Sequence, residues 1–135
     1  MLSVEGSRVL IVDDDSETLA LLREIVVKEG YQVQTAEHAQ AALAKLEQEK
    51  PDVVITDIHM PEKDGIEMIL EFRRFAPRVP ILAMSGSERS GRQDVLRDAA
   101  LLGVAGTIAK PFAVQDMIVA VERALQDARR QAGTA

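Results

Sequence analysis

Four segments of the sequence place acidic, hydroxyl or basic side chains directly after short apolar runs. These segments are Asp13–Asp15, Thr56 with Asp57, Ser85–Ser87 and Lys110. Carboxylates that lie close together repel one another unless a cation joins them, and Mg²⁺ prefers oxygen ligands of this kind. A lysine ammonium and a serine hydroxyl can in addition hold phosphoryl oxygens. If the four segments converge, they therefore indicate metal-assisted phosphoryl transfer.

Each segment also has a simpler explanation when it is taken alone. An Asp run after a strand often caps the next helix, whose first turn favours negative charge. Asp57, followed by Met60-Pro61, is compatible with an ordinary turn, and Ser85–Ser87 has an ordinary loop composition. Lys110-Pro111 is compatible with a strand exit, because proline cannot continue the ladder. Only convergence of the four segments at one end of one sheet would distinguish a site from these alternatives.

Apolar runs and helical patterns alternate along the chain and indicate where the segments lie. Strands are predicted at 9–12, 31–36, 53–55, 81–84 and 107–109. Helices are predicted around the apolar residues of 19–26, 42–46, 66–70, 95–102 and 114–125. Continuous apolar runs are typical of strands buried on both faces, whereas the half-polar second strand and the short fifth strand are typical of sheet edges.

This alternation predicts an α/β fold of the (βα)₅ type. Right-handed crossovers give a flavodoxin-like, doubly wound, five-stranded parallel sheet in the order 2-1-3-4-5. Ligands bind such sheets beyond the carboxyl ends of the strands, which is where all four segments fall.

Composition indicates one globular domain, 1–135, with a core at about 8–126 and short terminal tails. The chain has 135 residues, no cysteine and a net charge of −6, which disfavours thiol chemistry and duplex DNA binding. A local basic cluster near the C-terminus, Arg129-Arg130, is interpreted as a helix-end feature. Because neither a membrane-spanning run nor a signal-peptide pattern is present, we expect a cytoplasmic protein without nucleic-acid or membrane contacts.

The chain resembles the response-regulator receiver family from about Arg8 to Leu125. The motifs that carry the resemblance are the first strand with its acidic pair, the phosphoacceptor strand and loop, the switch hydroxyl segment and the lysine-proline-phenylalanine signature. In this sequence they are Val9–Asp14, Asp52–Pro61 followed by Asp64-Gly65, Met84–Gly86, and Lys110–Phe112. They occur in the family's order and at family-like spacing.

The resemblance implies a phosphoacceptor and a Mg²⁺ site. Asp57 would accept a phosphoryl group from a histidine kinase, a phosphotransfer protein or a small acyl phosphate. Asp14, Asp57 and the backbone carbonyl of His59 would bind Mg²⁺ directly, and Asp13 would act through a bound water. The chain would thus be a phosphorylatable signalling domain that catalyses only its own phosphorylation and dephosphorylation, and not an enzyme acting on other substrates.

The resemblance also implies a switch. Lys110 would pair with Asp57 before the reaction and with the phosphoryl group after it. The peptide bond between Lys110 and Pro111 would be cis. Ser85, in place of the commoner threonine, would bind the phosphoryl group and move toward it. Where the family often has an inward-turning aromatic side chain, this chain has Thr107, so the usual aromatic half of the switch is missing.

The resemblance also implies that phosphorylation changes the binding of a downstream protein, which the sequence does not identify. The expected binding face consists of the fourth strand, fourth helix, fifth strand and fifth helix. The chain itself is expected to be a monomer or a weak dimer. His59 and Ser87 are expected to flank the path of the water that hydrolyses the phosphorylated state, and so to tune its lifetime.

Two other functions compete with this hypothesis. Phosphatases of the haloacid-dehalogenase type have their nucleophile after the first strand, in an Asp-any-Asp-any-Thr/Val pattern. Here Glu17 stands where Thr or Val belongs. A receiver-like interaction module that is no longer phosphorylated is the second alternative. The set Asp14, Asp57, Ser85 and Lys110 argues against it, but Thr107 keeps it open.

Overall fold

A computed structural model of the protein describes residues 6–58, 65–86 and 103–134. The strands are β1 (Arg8–Val12), β2 (Gln32–Ala36), β3 (Val53–Asp57), β4 (Ile81–Gly86) and β5 (Gly106–Lys110). The helices are α1 (Ser16–Lys28), α2 (Ala39–Gln48), α3 (Gly65–Phe75) and α4 (Val114–Thr134). The helix predicted around Val95, Ala99 and Leu102 lies outside the described residues, so α4 corresponds to the fifth predicted helix.

The strands form one parallel sheet in the order β2-β1-β3-β4-β5. The register pairs Ile11 of β1 with Ile55 of β3, and Ile55 with Leu82 of β4. The sheet order predicted from the sequence is confirmed. All described carboxyl ends of the strands therefore lie along one edge of the sheet.

Two apolar cores cover the two faces of the sheet, because successive side chains of a strand point to opposite faces. Val9 and Ile11 of β1 pack into the core that includes buried residues of α1 and α4. Leu10 and Val12 pack into the core that includes buried residues of α2 and α3. The outer strands are only partly buried, as expected for sheet edges.

Local signals set the helix ends. The side chains of Asp15 and His38 cap the first turns of α1 and α2, and α1 is followed by Gly30, whose φ is 92°. Glycine adopts this left-handed conformation without steric cost. None of the described helices combines the length and the apolar character needed to span a membrane.

The C-terminal helix differs from its prediction. Its apolar stripe ends at Leu125, but α4 continues to Thr134. The interpretation of Arg129-Arg130 as a helix-end feature is wrong, because both residues lie within α4 and not in its last turn. Arg129 instead donates to the hydroxyl of Ser7 at 2.8 Å, and Arg130 pairs with Asp127 at 3.4 Å. These contacts between side chains were not visible in the helical periodicity.

Candidate functional site

Four of the predicted site residues meet at the carboxyl edge of the sheet. Asp13 directly follows β1, Asp57 ends β3, Ser85 lies near the end of β4, and Lys110 ends β5. These four strands are neighbours in the sheet, so parallel pairing brings their ends together. Asp13 and Ser85 are fully buried, and Asp57 is only 4% exposed. The simpler explanations of the segments as unrelated turns and loops therefore do not account for their placement.

The three consecutive aspartates have three different environments. Asp15 caps α1, since its carboxylate accepts from the amide of Glu17 and from the hydroxyl of Thr18. Asp13 points inward, and its Oδ1 accepts from the Asp15 amide at 2.9 Å. Asp14 is exposed to solvent. The capping explanation of the Asp run is thus right for Asp15 alone, and the other two carboxylates remain at the edge of the sheet.

Lys110 joins the two buried carboxylates. Its Nζ lies 2.6 Å from Oδ2 of Asp13 and 3.3 Å from Oδ2 of Asp57. The side chain of Lys110 is 21% exposed, so the ammonium is largely withdrawn from water. The family resemblance implied a pair between Lys110 and Asp57, and the structure adds Asp13 as the closer partner of Lys110.

The charges of this cluster stabilise the protonated form of the lysine. Burial alone would lower the pKa of Lys110, but its hydrogen bond to Asp13 and the charges of Asp57 and Asp13 outweigh burial and raise that pKa. Burial raises the pKa of Asp13, and hydrogen bonds from Lys110 and the Asp15 amide offset only part of this effect. Lys110 therefore holds a full positive charge beside Asp57 at neutral pH.

The carboxylates of Asp13, Asp14 and Asp57 form a donor set that fits a divalent cation. One oxygen of each lies within 4.8 Å of the others, and only Asp14 is open to solvent. Carboxylate oxygens with room for water are typical ligands of Mg²⁺. Lys110 balances part of the negative charge, but three carboxylates facing one ammonium leave an excess that a cation would neutralise.

The predicted switch positions share one face of the sheet. Ser85 pairs with Ala109, and Thr107 pairs with Ala83, so Ser85 and Thr107 lie two positions apart along the β4–β5 pair. Residues two apart in a strand point to the same face. Thr107 is exposed on the outer strand, whereas Ser85 is fully buried and directly follows Met84, the residue that pairs with Asp57. The peptide bond between Lys110 and Pro111 is cis, as the resemblance implied. His59 and Ser87 lie outside the described residues.

A link through the first turn of α1 was missed in the sequence. The chain of hydrogen bonds runs from the Thr18 hydroxyl to Asp15, and from the Asp15 amide to Asp13. The three-residue spacing of Asp15 and Thr18 is a capping signal that could have identified it. The helix start therefore orients a carboxylate of the cluster.

Comparison with known proteins identifies the family. A family model described as "Response regulator receiver domain" matches residues 9–122. The chain belongs to the response regulator receiver family. This receiver domain is 35% identical over 119 residues to the chemotaxis protein CheY of Thermotoga maritima, a match that covers 87% of this chain and 97% of that protein.

Other relatives are longer. The receiver domain is 30% identical over 128 residues to the DNA-binding transcriptional regulator NtrC of Proteus hauseri, covering 95% of this chain but only 26% of that protein. A solved response regulator receiver domain protein of Clostridium thermocellum superposes with a TM-score of 0.86 at 25% identity, over 93% of this chain and 98% of that one.

Membership of this family confirms the resemblance noted in the sequence and decides against the phosphatase alternative. Receiver domains are signalling domains of two-component systems, and they take phosphoryl groups from histidine kinases or phosphotransfer proteins. The activity and partners of the longer relatives do not follow for this chain.

Proposed function

We propose that this receiver domain accepts a phosphoryl group on Asp57, with Mg²⁺ bound beside it, and passes that state to a downstream protein. The observation that carries the proposal is the convergence of Asp57, Lys110 and the acidic pair at the carboxyl edge of the sheet. The donor is a histidine kinase or a phosphotransfer protein, and a small acyl phosphate can take its place in vitro.

The transfer requires a nucleophile that is deprotonated and held still. A carboxylate oxygen of Asp57 forms the new bond to phosphorus while the bond from phosphorus to the donor's histidine nitrogen breaks. The ammonium of Lys110, 3.3 Å from Asp57 Oδ2, orients this carboxylate and afterwards donates to a phosphoryl oxygen. Ser85 supplies a second donor from the neighbouring strand. Burial of Asp57 and Ser85 limits their competing contacts with water.

Asp14, Asp57 and the backbone carbonyl of His59 would hold Mg²⁺, and Asp13 would act through a bound water, as the family resemblance implies. When bound, Mg²⁺ neutralises the carboxylates and the charge on the transferring group. Solvent exposure of Asp14 supports this assignment, because Mg²⁺ retains several waters. Asp13 is fully buried and held by Lys110, which supports its role as an indirect ligand.

The switch follows from the shared face of Ser85 and Thr107. Movement of Ser85 toward the phosphoryl group displaces the end of β4, and the β4–β5 pair extends this change to the exposed Thr107. Rotation of the small threonine side chain alters much less surface than rotation of an aromatic ring, so the surface changes mainly through movement of the backbone. The downstream protein binds the face formed by β4, β5, α4 and the predicted helix between β4 and β5.

Intact-protein mass spectrometry tests the phosphorylation directly. Incubation with acetyl phosphate and Mg²⁺ should add one phosphoryl group of about 80 Da, which hydroxylamine removes. The Asp57→Asn variant should gain no mass, while the matched Asp127→Asn variant, changed on the exposed surface of α4, should react like the wild type. Chelation of Mg²⁺ should abolish the adduct.

Absence of an adduct with acetyl phosphate and with purified phosphorylated kinases would contradict the proposal. Beryllium fluoride, a phosphoryl mimic, should then also leave the amide spectrum unchanged. That result would indicate a folded interaction module that is not phosphorylated. Transfer to Asp57→Asn as efficient as to the wild type would place the phosphoacceptor elsewhere.

Two further residues tune the lifetime of the phosphorylated state in this proposal. His59→Ala and Ser87→Ala should change the rate of dephosphorylation without preventing phosphorylation. The measurement is the decay of the adduct after removal of the donor. Decay rates equal to the wild-type rate in both variants would contradict this role.

A further inference from the structure

A groove opens at the amino end of β4 and β5, at the opposite end of the sheet from Asp57. Its larger cavity has a volume of about 610 Å³. The lining residues are Arg73, residues 77–80 and 103–105, and one side of α4 from Ala124 to Gln131. A second cavity of about 280 Å³ shares Arg78 with the first and extends to residues 50–52. We call the two together the amino-end groove.

The amino-end groove is positively charged in an acidic protein. Its lining holds four cationic and two anionic side chains, while the net charge of the chain is −6. These are Lys50, Arg73, Arg78 and Arg129 against Asp52 and Asp127. Asp127 pairs with Arg130, whereas Asp52 accepts from the backbone amide of Arg8 at 2.8 Å and keeps its negative charge, so the lining retains an excess of cationic side chains. The groove therefore attracts anions that the rest of the surface repels.

Arg73 is fixed at the inner side of the groove without losing its charge. Its guanidinium donates to the backbone carbonyls of Pro77 and Gly103, and its Nε is buried without a hydrogen-bond partner among the described residues. A carbonyl orients a guanidinium but does not neutralise it. Gly103 has a φ of 80°, and a Cβ atom there would lie 3.2 Å from the guanidinium. The glycine thus permits this close approach.

Arg78 lies where the two cavities meet and is exposed. Across the described ranges it forms neither a hydrogen bond nor an ion pair with another residue. Apolar surface surrounds both arginines, and three prolines restrict the backbone of the walls. The apolar and proline residues of the walls include Pro51, Pro77, Val79, Pro80, Val104 and Ala128. Such a preformed groove loses little conformational entropy when a ligand binds.

We propose that the amino-end groove binds an acidic segment of a partner protein, with carboxylates at Arg73 and Arg78 and an apolar side chain on the wall between them. Two contiguous cavities exceed the size of a single small anion. The described lining contains no aromatic side chain on which a nucleic-acid base could stack. The groove lies at the opposite end of the sheet from Asp57, so it is separate from the proposed phosphoacceptor site.

The test is an NMR titration of the ¹⁵N-labelled full chain with a synthetic peptide made of repeated Glu-Glu-Leu triplets. Saturable shifts should be confined to amides of the groove, including those of Arg78, Gly103 and Ala128. Arg78→Glu should weaken binding by at least about tenfold. Arg74→Glu is the matched control, because Arg74 is exposed in the last turn of α3, four residues before Arg78, but does not line the groove. It should weaken binding less than about threefold.

Several outcomes would overturn the proposal. An equal loss of peptide affinity in Arg78→Glu and Arg74→Glu would show that the peptide is attracted by the general surface charge and not by the groove. A Lys-Lys-Leu peptide that binds as tightly as the Glu-Glu-Leu peptide would show that negative charge on the ligand is not required. Inorganic phosphate that causes the same shifts at the same concentration would indicate a small-anion site. The amide spectrum of Arg78→Glu outside the groove verifies its fold, and Arg78→Ala, which should bind more weakly than the wild type, repeats the test without charge reversal.

Discussion

Lys110 at the end of β5 contacts Asp13, which lies 97 residues earlier in the chain, with Nζ 2.6 Å from Oδ2. Asp13 is fully buried and would carry an uncompensated charge without this contact. The same ammonium reaches Asp57 at 3.3 Å. One side chain therefore stabilises the fold at the carboxyl edge and orients the proposed phosphoacceptor.

Loss of the ammonium should destabilise the protein. We expect Lys110→Met to lower the free energy of unfolding by about 1–3 kcal/mol in the absence of Mg²⁺, because Asp13 stays buried without its cation. Urea unfolding at neutral pH measures the difference. Lys28→Met is the control, since the exposed pair of Lys28 with Glu24 at 3.6 Å should contribute less than about 0.5 kcal/mol.

The double variant Asp13→Asn/Lys110→Met should recover part of the loss, because it removes the buried charge together with its partner. Equal stabilities of Lys110→Met and Lys28→Met would show that Asp13 does not depend on Lys110.

Binding of Mg²⁺ should raise the melting temperature. Stabilisation by a ligand of the folded state reaches about 2.7 kcal/mol at about one hundred times the dissociation constant. Asp14→Asn should shift the Mg²⁺ titration midpoint upward by more than about tenfold, since it removes a proposed ligand. Asp127→Asn should leave the midpoint unchanged. Thermal scans at constant ionic strength measure both, and an unchanged midpoint in Asp14→Asn would exclude Asp14 as a ligand.

The only tyrosine of the chain provides an alkaline probe. Burial, together with the charges of Glu122 and Glu29, raises the pKa of Tyr31 above its ordinary value of 10.0. The folded state thus retains the proton that the unfolded state has lost, so this contribution to stability is complete below pH 10.0 and disappears as the pH rises through the folded-state pKa. Tyr31→Phe should therefore lose less stability than the wild type as the pH rises.

Tyrosinate absorbance gives the pH midpoint of Tyr31 ionisation directly, and urea unfolding across the same pH range gives the free energy of unfolding. The pKa of Lys110 is also raised, so Lys110 makes stability fall with rising pH in the same way in the wild type and in Tyr31→Phe. Its contribution therefore cancels when the two proteins are compared. A native midpoint at or below that of the urea-unfolded chain would contradict the prediction.

His38 should stabilise the start of α2. Its Nδ1 accepts from the Ala41 amide at 3.1 Å, which satisfies one of the unpaired donors of the first turn. His38→Ala should cost about 1 kcal/mol of unfolding free energy, while His38→Ser should retain most of it. Urea unfolding and hydrogen exchange of the Ala41 amide measure the effect. Equal exchange in the two variants would show that the side chain does not cap the helix.

The strand order and the two-sided burial of the sheet were predictable from the sequence because they depend on local patterns. The continuous run Val9–Val12 indicated burial on both faces, and its side chains do alternate between the two cores. The polar second strand indicated an edge. Asp13, Asp57, Ser85 and Lys110 each follow or end such a run, so their convergence followed once the sheet order was inferred.

The sequence alone determined the fold class, the family motifs and the side chains that gather at the carboxyl edge, since periodicity and turn chemistry act over a few neighbouring residues. Only the tertiary structure decided that Asp15 caps a helix while Asp13 pairs with Lys110, and that the extended α4 forms one wall of the amino-end groove. These outcomes depend on distances between residues far apart in the chain. Such distances are set by the packing of whole elements, which no local pattern encodes.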